Sequence, residues 1–251
     1  MAALRRNSRR PLFARAIQLR FIPVSGPSKD TRTQTAGTGQ LACRLLDIEP
    51  ATTSLLEMVG LSPGQIIFHD TQAVTVFNRA IVPAIRNPNA LLDHESRELY
   101  RQIRIGYGSM PGRKRLYISR RSHGQRGGTS RVLLNEEELI TRLSAIGFEI
   151  VEPENLSSQQ QIALYSAAEI VVGPSGSGMF NVVFCHPGTK VIDIESEDHW
   201  IYAHAGLFAS CELRYGIFIG EVDPTDARGV HRRWTVNVGA VVERVERFLR
   251  A

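Results

Sequence analysis

The stretch EIVVGPSGSGMFNVVFCHPGTKVIDIE, residues 169–195, decides how this chain is read. An apolar strand runs into Gly173-Pro174-Ser175-Gly176-Ser177-Gly178, a helix follows, and a second apolar strand ends at Asp193 and Glu195. Glycines let the chain turn tightly and let backbone N–H groups approach a ligand, and the helix start adds donors and partial positive charge. A diphosphate suits that place. Asp193 lies 17 residues and Glu195 19 residues beyond Gly176, close to the ~20-residue interval at which an acid meets ribose hydroxyls in nucleotide-binding βαβ units. Asn181 stands where that fingerprint expects Gly or Ala. A nucleophile elbow lacks its last Gly, and a P-loop lacks Gly-Lys-Ser/Thr.

Outward from this stretch, strands and helices alternate. The pattern predicts strands at 115–120, 148–151, 170–172, 190–194 and 213–219, with helices at 135–146, 158–168, 178–185, 201–209 and 239–249. Such alternation implies a parallel sheet with helices on both faces. Asn135-x-x-Glu138 and Ser158-x-x-Gln161 fit the capping box, and Asn237 stands before the last helix. Before the loop at Met110-Pro111-Gly112 the pattern is sparser, with a short helix at 51–60 and strands at 65–69 and 73–77. The expected organisation is a basic leader and linker over 1–40, a small N-terminal α/β domain over 41–110, and a Rossmann-like domain over 111–251.

Charge follows the same division. The chain of 251 residues carries a net +5, yet residues 1–32 hold seven arginines and Lys29 against Asp30 alone, a net +7, so the remainder is −2. The basic character therefore belongs to a tail, read as a disordered leader with an amphipathic targeting or surface-anchoring role as the alternative, and no nucleic-acid partner is expected. No window approaches the ~20 apolar residues of a spanning helix. Cys43, Cys185 and Cys211 are too few and odd in number for a disulfide framework. A reducing, cytoplasmic location follows, with contact at a membrane surface left open.

The loop SRRSHGQRGGTSR, residues 119–131, follows the first strand of the larger domain and carries Arg120, Arg121, Arg126 and Arg131. Arginine forks match phosphate oxygens in a planar, bidentate way, so this loop is expected to clamp phosphates opposite the glycines, with Arg121 and Arg126 the less fixed. Metal chemistry gets little support. Asp193-x-Glu195 resembles an acidic metal pair loosely, and His199 and His204, five apart, point away from one another on a helix, as an ordinary surface or cleft pair.

The run Ile118-Ser119-Arg120, Arg131-x-x-x-Asn135-Glu136, Gly147-Phe148, Pro153-Glu154, Gln161-Ile162, Ala168, Val172-Gly173-Pro174, Gly176, Gly178, Asn181, Phe184, Pro187-Gly188 and Val191-Ile192 resembles glycosyltransferase family 61. The resemblance is strongest over residues 115–195. It implies a GT-B-like architecture of two facing Rossmann-type domains and an inverting, metal-independent transfer from a nucleotide sugar, with no cofactor. The donor would be held by the C-terminal domain, through Arg120, Arg131, Asn135, Gly173, Ser175, Gly176, Ser177, Gly178, Asn181, Asp193 and Glu195. Where the family loop reads Gly-Pro-His-Gly-Ala-Gly, Ser175 replaces the His and Ser177 the Ala, which keeps a hydrogen bond and loses a positive charge. The acceptor, a glycan or polysaccharide, would need a general base from the N-terminal part, where His69, Asp70, Asp93 and His94 are the polar candidates. That part is shorter than in family members, so a truncated acceptor domain is expected, and a non-catalytic nucleotide-binding remnant is the alternative. A Rossmann-type oxidoreductase or methyltransferase is a third reading, disfavoured by Asn181 and by the lack of a fingerprint at the first strand.

Overall fold

The computed structural model describes residues 41–43, 50–61, 66–68, 91–121, 131–197 and 201–250. The chain divides into two units, Met1–Arg86 and Asn87–Ala251. In the first, β1 (Leu41–Cys43) pairs in parallel with β2 (Ile66–Phe68), and α1 covers Pro50–Met58. The strand expected at 73–77 lies outside the described residues, as do the leader and linker.

The second unit is built on β3 (Lys114–Ile118), β4 (Glu149–Val151), β5 (Ala168–Pro174), β6 (Lys190–Glu195) and β7 (Arg214–Ile219). All pair in parallel in the order β4-β3-β5-β6-β7, which is 2-1-3-4-5 when counted within the unit. This is a Rossmann-like α/β fold. In such sheets the chain winds one way from the first strand and the other way from the third, and ligands bind in the crevice this opens at the strand C-termini. Here the crevice lies between the ends of β3 and β5, where the arginine loop and the glycine loop begin.

Side-chain alternation along the strands divides the core. Tyr117, Ile170, Val172, Ile192 and Ile194 face α3 (Glu136–Ala145) and α7 (Val238–Arg250), whose Val238, Val241, Val242 and Val245 recur at helical spacing on the buried side. Each such side chain, fully buried, contributes about 1.5–3 kcal/mol. Gly147, with φ of 86°, takes the left-handed conformation just past α3, where a side chain is disfavoured. Asn237 caps α7, accepting from the Ala240 N–H at 3.0 Å. The other two expected caps differ. The capping box is Ser157 with Gln160, one residue earlier than expected, at the start of α4 (Ser158–Ser166). Asn135 makes no side-chain cap, because its amide bonds both polar groups of Val236.

Helix α2 (His94–Tyr107) falls where the sequence showed no clear element, and it belongs to the second unit. It packs on α4 and on the 3-10 turn Asn181–Phe184. Ile103 is buried, Tyr100 meets Phe184 edge-on at 5.6 Å, and Arg104 bonds the Cys185 carbonyl. These contacts draw the unit boundary from the expected position near 110 back to residue 86. A two-stranded antiparallel ribbon, β8 (Glu221–Val222) with β9 (Trp234–Thr235), also escaped the pattern. No described helix is long and apolar enough to cross a membrane.

Candidate functional site

The chain leaves β3 under control of Glu136, the first residue of α3. Its buried carboxylate accepts from Ser119 Oγ at 2.9 Å, the Arg120 N–H at 3.0 Å and the Tyr117 hydroxyl at 3.3 Å. Burial raises the Glu136 pKa above the ordinary carboxylate value even though all three donors act to lower it. Arg120, so placed, turns its guanidinium across the sheet and donates to the Ser175 carbonyl at 2.5 Å. Burial lowers its pKa from the usual value and the neighbouring Arg131 adds to this, while Glu136 and Glu154 oppose it. Arg131 has φ of 56°, and its backbone is fixed by bonds to the His231 carbonyl and from Trp234 Nε1. Arg131 lies close enough for its charge to act on Arg120, a setting that favours an anion. Arg121 is exposed and paired with Glu137 and Glu152. Arg126 lies outside the described residues.

The glycines across the crevice serve the arginine as much as the turn. A Cβ on Gly176 would sit 2.5 Å from an Arg120 guanidinium nitrogen, and one on Gly173 would sit 2.7 Å from the Ile118 carbonyl oxygen. Gly176 therefore leaves room for Arg120, and Gly173 lets β5 approach β3. Gly178 lies against Ile118 and Pro153, and its carbonyl accepts from the Tyr165 hydroxyl at 2.7 Å. Ser177 is exposed. The helix expected over 178–185 is one α turn, α5 (Ser177–Phe180), continued by the 3-10 turn. Such a short helix lends little dipole, so positive charge here comes chiefly from side chains. Asn181 donates to Gln161 at 2.8 Å, and Gln161 bonds the carbonyls of Pro153 and Leu156. The amides of Asn135 and Asn181 are thus both engaged in internal bonds.

Beneath the glycine loop, Asp193 and Glu195 are both 0% exposed. Strand alternation aims them to one side, onto His204 of α6 (Ile201–Ser210), which is 5% exposed. His204 Nδ1 lies 2.8 Å from Asp193 Oδ2, 2.5 Å from Glu195 Oε1 and 3.2 Å from Ser175 Oγ. Burial pulls the imidazole pKa down, yet the two carboxylates hold it up at about 9; burial and Glu195 push Asp193 up to about 6. His204 is therefore not the surface or cleft residue its spacing from His199 suggested, and His199 lies outside the described residues. The two carboxylates are wholly enclosed, whereas Arg120 is partly buried and Ser177 is exposed.

His69 and Asp70 also lie outside the described residues. Asp93 caps α2, accepting from the Ser96 N–H at 2.8 Å, and it and His94 belong to the second unit. A cavity of about 210 Å³ on the α2 side is lined by Arg97, Tyr100, Arg104, Cys185 and Cys211, with no residue of the glycine loop. Both cysteines are free, and burial raises their thiol pKa values, that of Cys211 to about 11.

No curated protein matches the sequence significantly. The family model described as Glycosyltransferase 61 matches residues 20–192, which takes in the arginine loop, Glu136, the glycine loop and the first half of β6. With a Rossmann-like sheet whose switch point sets Arg120 against that loop, the chain belongs to the glycosyltransferase 61 family.

Proposed function

We propose that the second unit binds the diphosphate of a nucleotide-sugar donor between Arg120, Arg131 and the loop at Ser175–Gly178, and that the protein transfers the sugar to a glycan or polysaccharide acceptor. The observation that carries this reading is the partly buried Arg120, held against Gly176 with Arg131 beside it at the switch point. In the reaction a base takes the proton of an acceptor hydroxyl, whose oxygen attacks the anomeric carbon as the bond to the diphosphate breaks. The negative charge that grows on the departing diphosphate is met by the two arginines. Attack opposite the leaving group inverts the anomeric centre, and the arginines supply the charge that a metal ion supplies in other transferases. A GT-B-like arrangement would draw the acceptor side from the N-terminal unit, with His69 and Asp70 as the base candidates.

The test is turnover of UDP-sugars by the purified full chain without added Mg²⁺, followed by NMR of released UDP and of the anomeric product. UDP release with inversion is expected. Binding of UDP without turnover would favour the remnant reading, and a folded protein that shows neither would overturn the donor site.

A further inference from the structure

The enclosed trio beneath the glycine loop lies beyond the stretch that the family model matches, which stops at residue 192. Asp193, Glu195 and His204 each bring one ligand atom within 4.8 Å of the others, and all three side chains are buried. Asp193 Oδ1 and Glu195 Oε2 have no hydrogen-bond partner, while Glu195 Oε1 meets His204 Nδ1 at 2.5 Å. Burying a charged group without a partner is costly, and buried charges are normally paired or bound to metal. A single imidazolium between two carboxylates still encloses one net negative charge. A divalent cation with a neutral imidazole brings the set to zero and gives the orphaned oxygens a partner.

We propose that Asp193, Glu195 and His204 hold one divalent transition cation of the Zn²⁺ or Mn²⁺ class, with Ser175 Oγ as the fourth neighbour. The donor chemistry selects this class. An imidazole is a poor ligand for Mg²⁺ or Ca²⁺, and carboxylates with a hydroxyl are a poor set for Cu⁺. Enclosure makes the ion structural: Ser175 is 4% exposed, so the set is closed over by the loop itself. The ion would tie the loop after β5 to β6 and α6. Ser175 also accepts Arg120 through its carbonyl, so the cation would fix that arginine from below while remaining out of contact with any diphosphate. The site goes beyond the donor reading and stands without it.

The experiment uses the full chain, stripped with a chelator and dialysed, titrated with Zn²⁺ and Mn²⁺ alone, with Mg²⁺ and Ca²⁺ as comparisons. One equivalent of Zn²⁺ or Mn²⁺ should bind and raise the melting temperature, with Glu195→Gln and His204→Gln each weakening uptake at least tenfold. His231→Gln, at an exposed turn, should bind as the wild type does. No stoichiometric uptake by the folded wild type, unchanged uptake in both variants, or a preference for Mg²⁺ or Ca²⁺ would overturn the proposal. Should the variants fail to fold, X-ray absorption at the zinc edge of the loaded wild type decides. A shell of oxygens with one imidazole nitrogen supports the site, and sulfur in the shell overturns it.

Discussion

Arg120 is held from two sides, its N–H by Glu136 and its guanidinium by the Ser175 carbonyl. Removing the Glu136 carboxylate leaves three donors without an acceptor, and an orphaned buried group costs about 1–3 kcal/mol. Glu136→Ala should therefore lower stability by about 2–4 kcal/mol in urea unfolding, whereas Glu136→Gln keeps an acceptor oxygen and should lose less than about 1 kcal/mol. The pH dependence follows from the raised pKa. A folded-state value above the ordinary one means the carboxylate costs stability at pH above that folded value, and the cost fades as pH falls towards the ordinary carboxylate range. Glu136→Gln should remove that dependence, and a difference between variant and wild type that does not vary with pH would contradict it. At Gly176 the backbone is extended, so a side chain meets no backbone strain there but does meet Arg120. Gly176→Val should abolish UDP binding with a modest change in melting temperature. Retained binding would show that the glycine serves only the turn.

Among elements, α7 offers a clean test of local reading. Loss of its Asn237 cap, in Asn237→Ala, should cost about 1 kcal/mol, checked by urea unfolding, and no change would mean another group satisfies the Ala240 N–H. The strands β3 to β7 and the helices from α3 to α7 were legible because each of these strands is a short apolar run and most of these helices carry a stripe or a cap. Helix α2, HESRELYRQIRIGY, was not legible, because its polar residues outnumber a narrow apolar stripe that only its packing on Phe184 explains. The two-residue strands β8 and β9 are too short to carry a period. The positions of Arg120 and Gly176 at the ends of their strands were legible from the sequence, but their mutual contact was not, since it depends on β3 and β5 being neighbours. His204 was misread for a similar reason. Its spacing from His199 gives its direction on a helix, whereas its burial comes from α6 packing on β7, which sets it against Asp193 and Glu195 of β6.

At the scale of the molecule, the Rossmann-like sheet, its two helical faces and the arginine–glycine crevice all lie within residues 87–251. That unit should fold without the first. Residues 87–251 expressed alone should unfold cooperatively and bind UDP within a few-fold of the full chain, and a fragment that folds without binding would move part of the donor site into the N-terminal unit. The central claim is that a nucleoside diphosphate sits against Arg120, and titration calorimetry of UDP into the full chain tests it most directly. One UDP should bind per chain, and Arg120→Ala, still folded, should weaken it by about 1.5–3 kcal/mol, roughly ten- to more than a hundredfold. Equal affinity in the folded variant, or no binding by the folded wild type, would contradict the account.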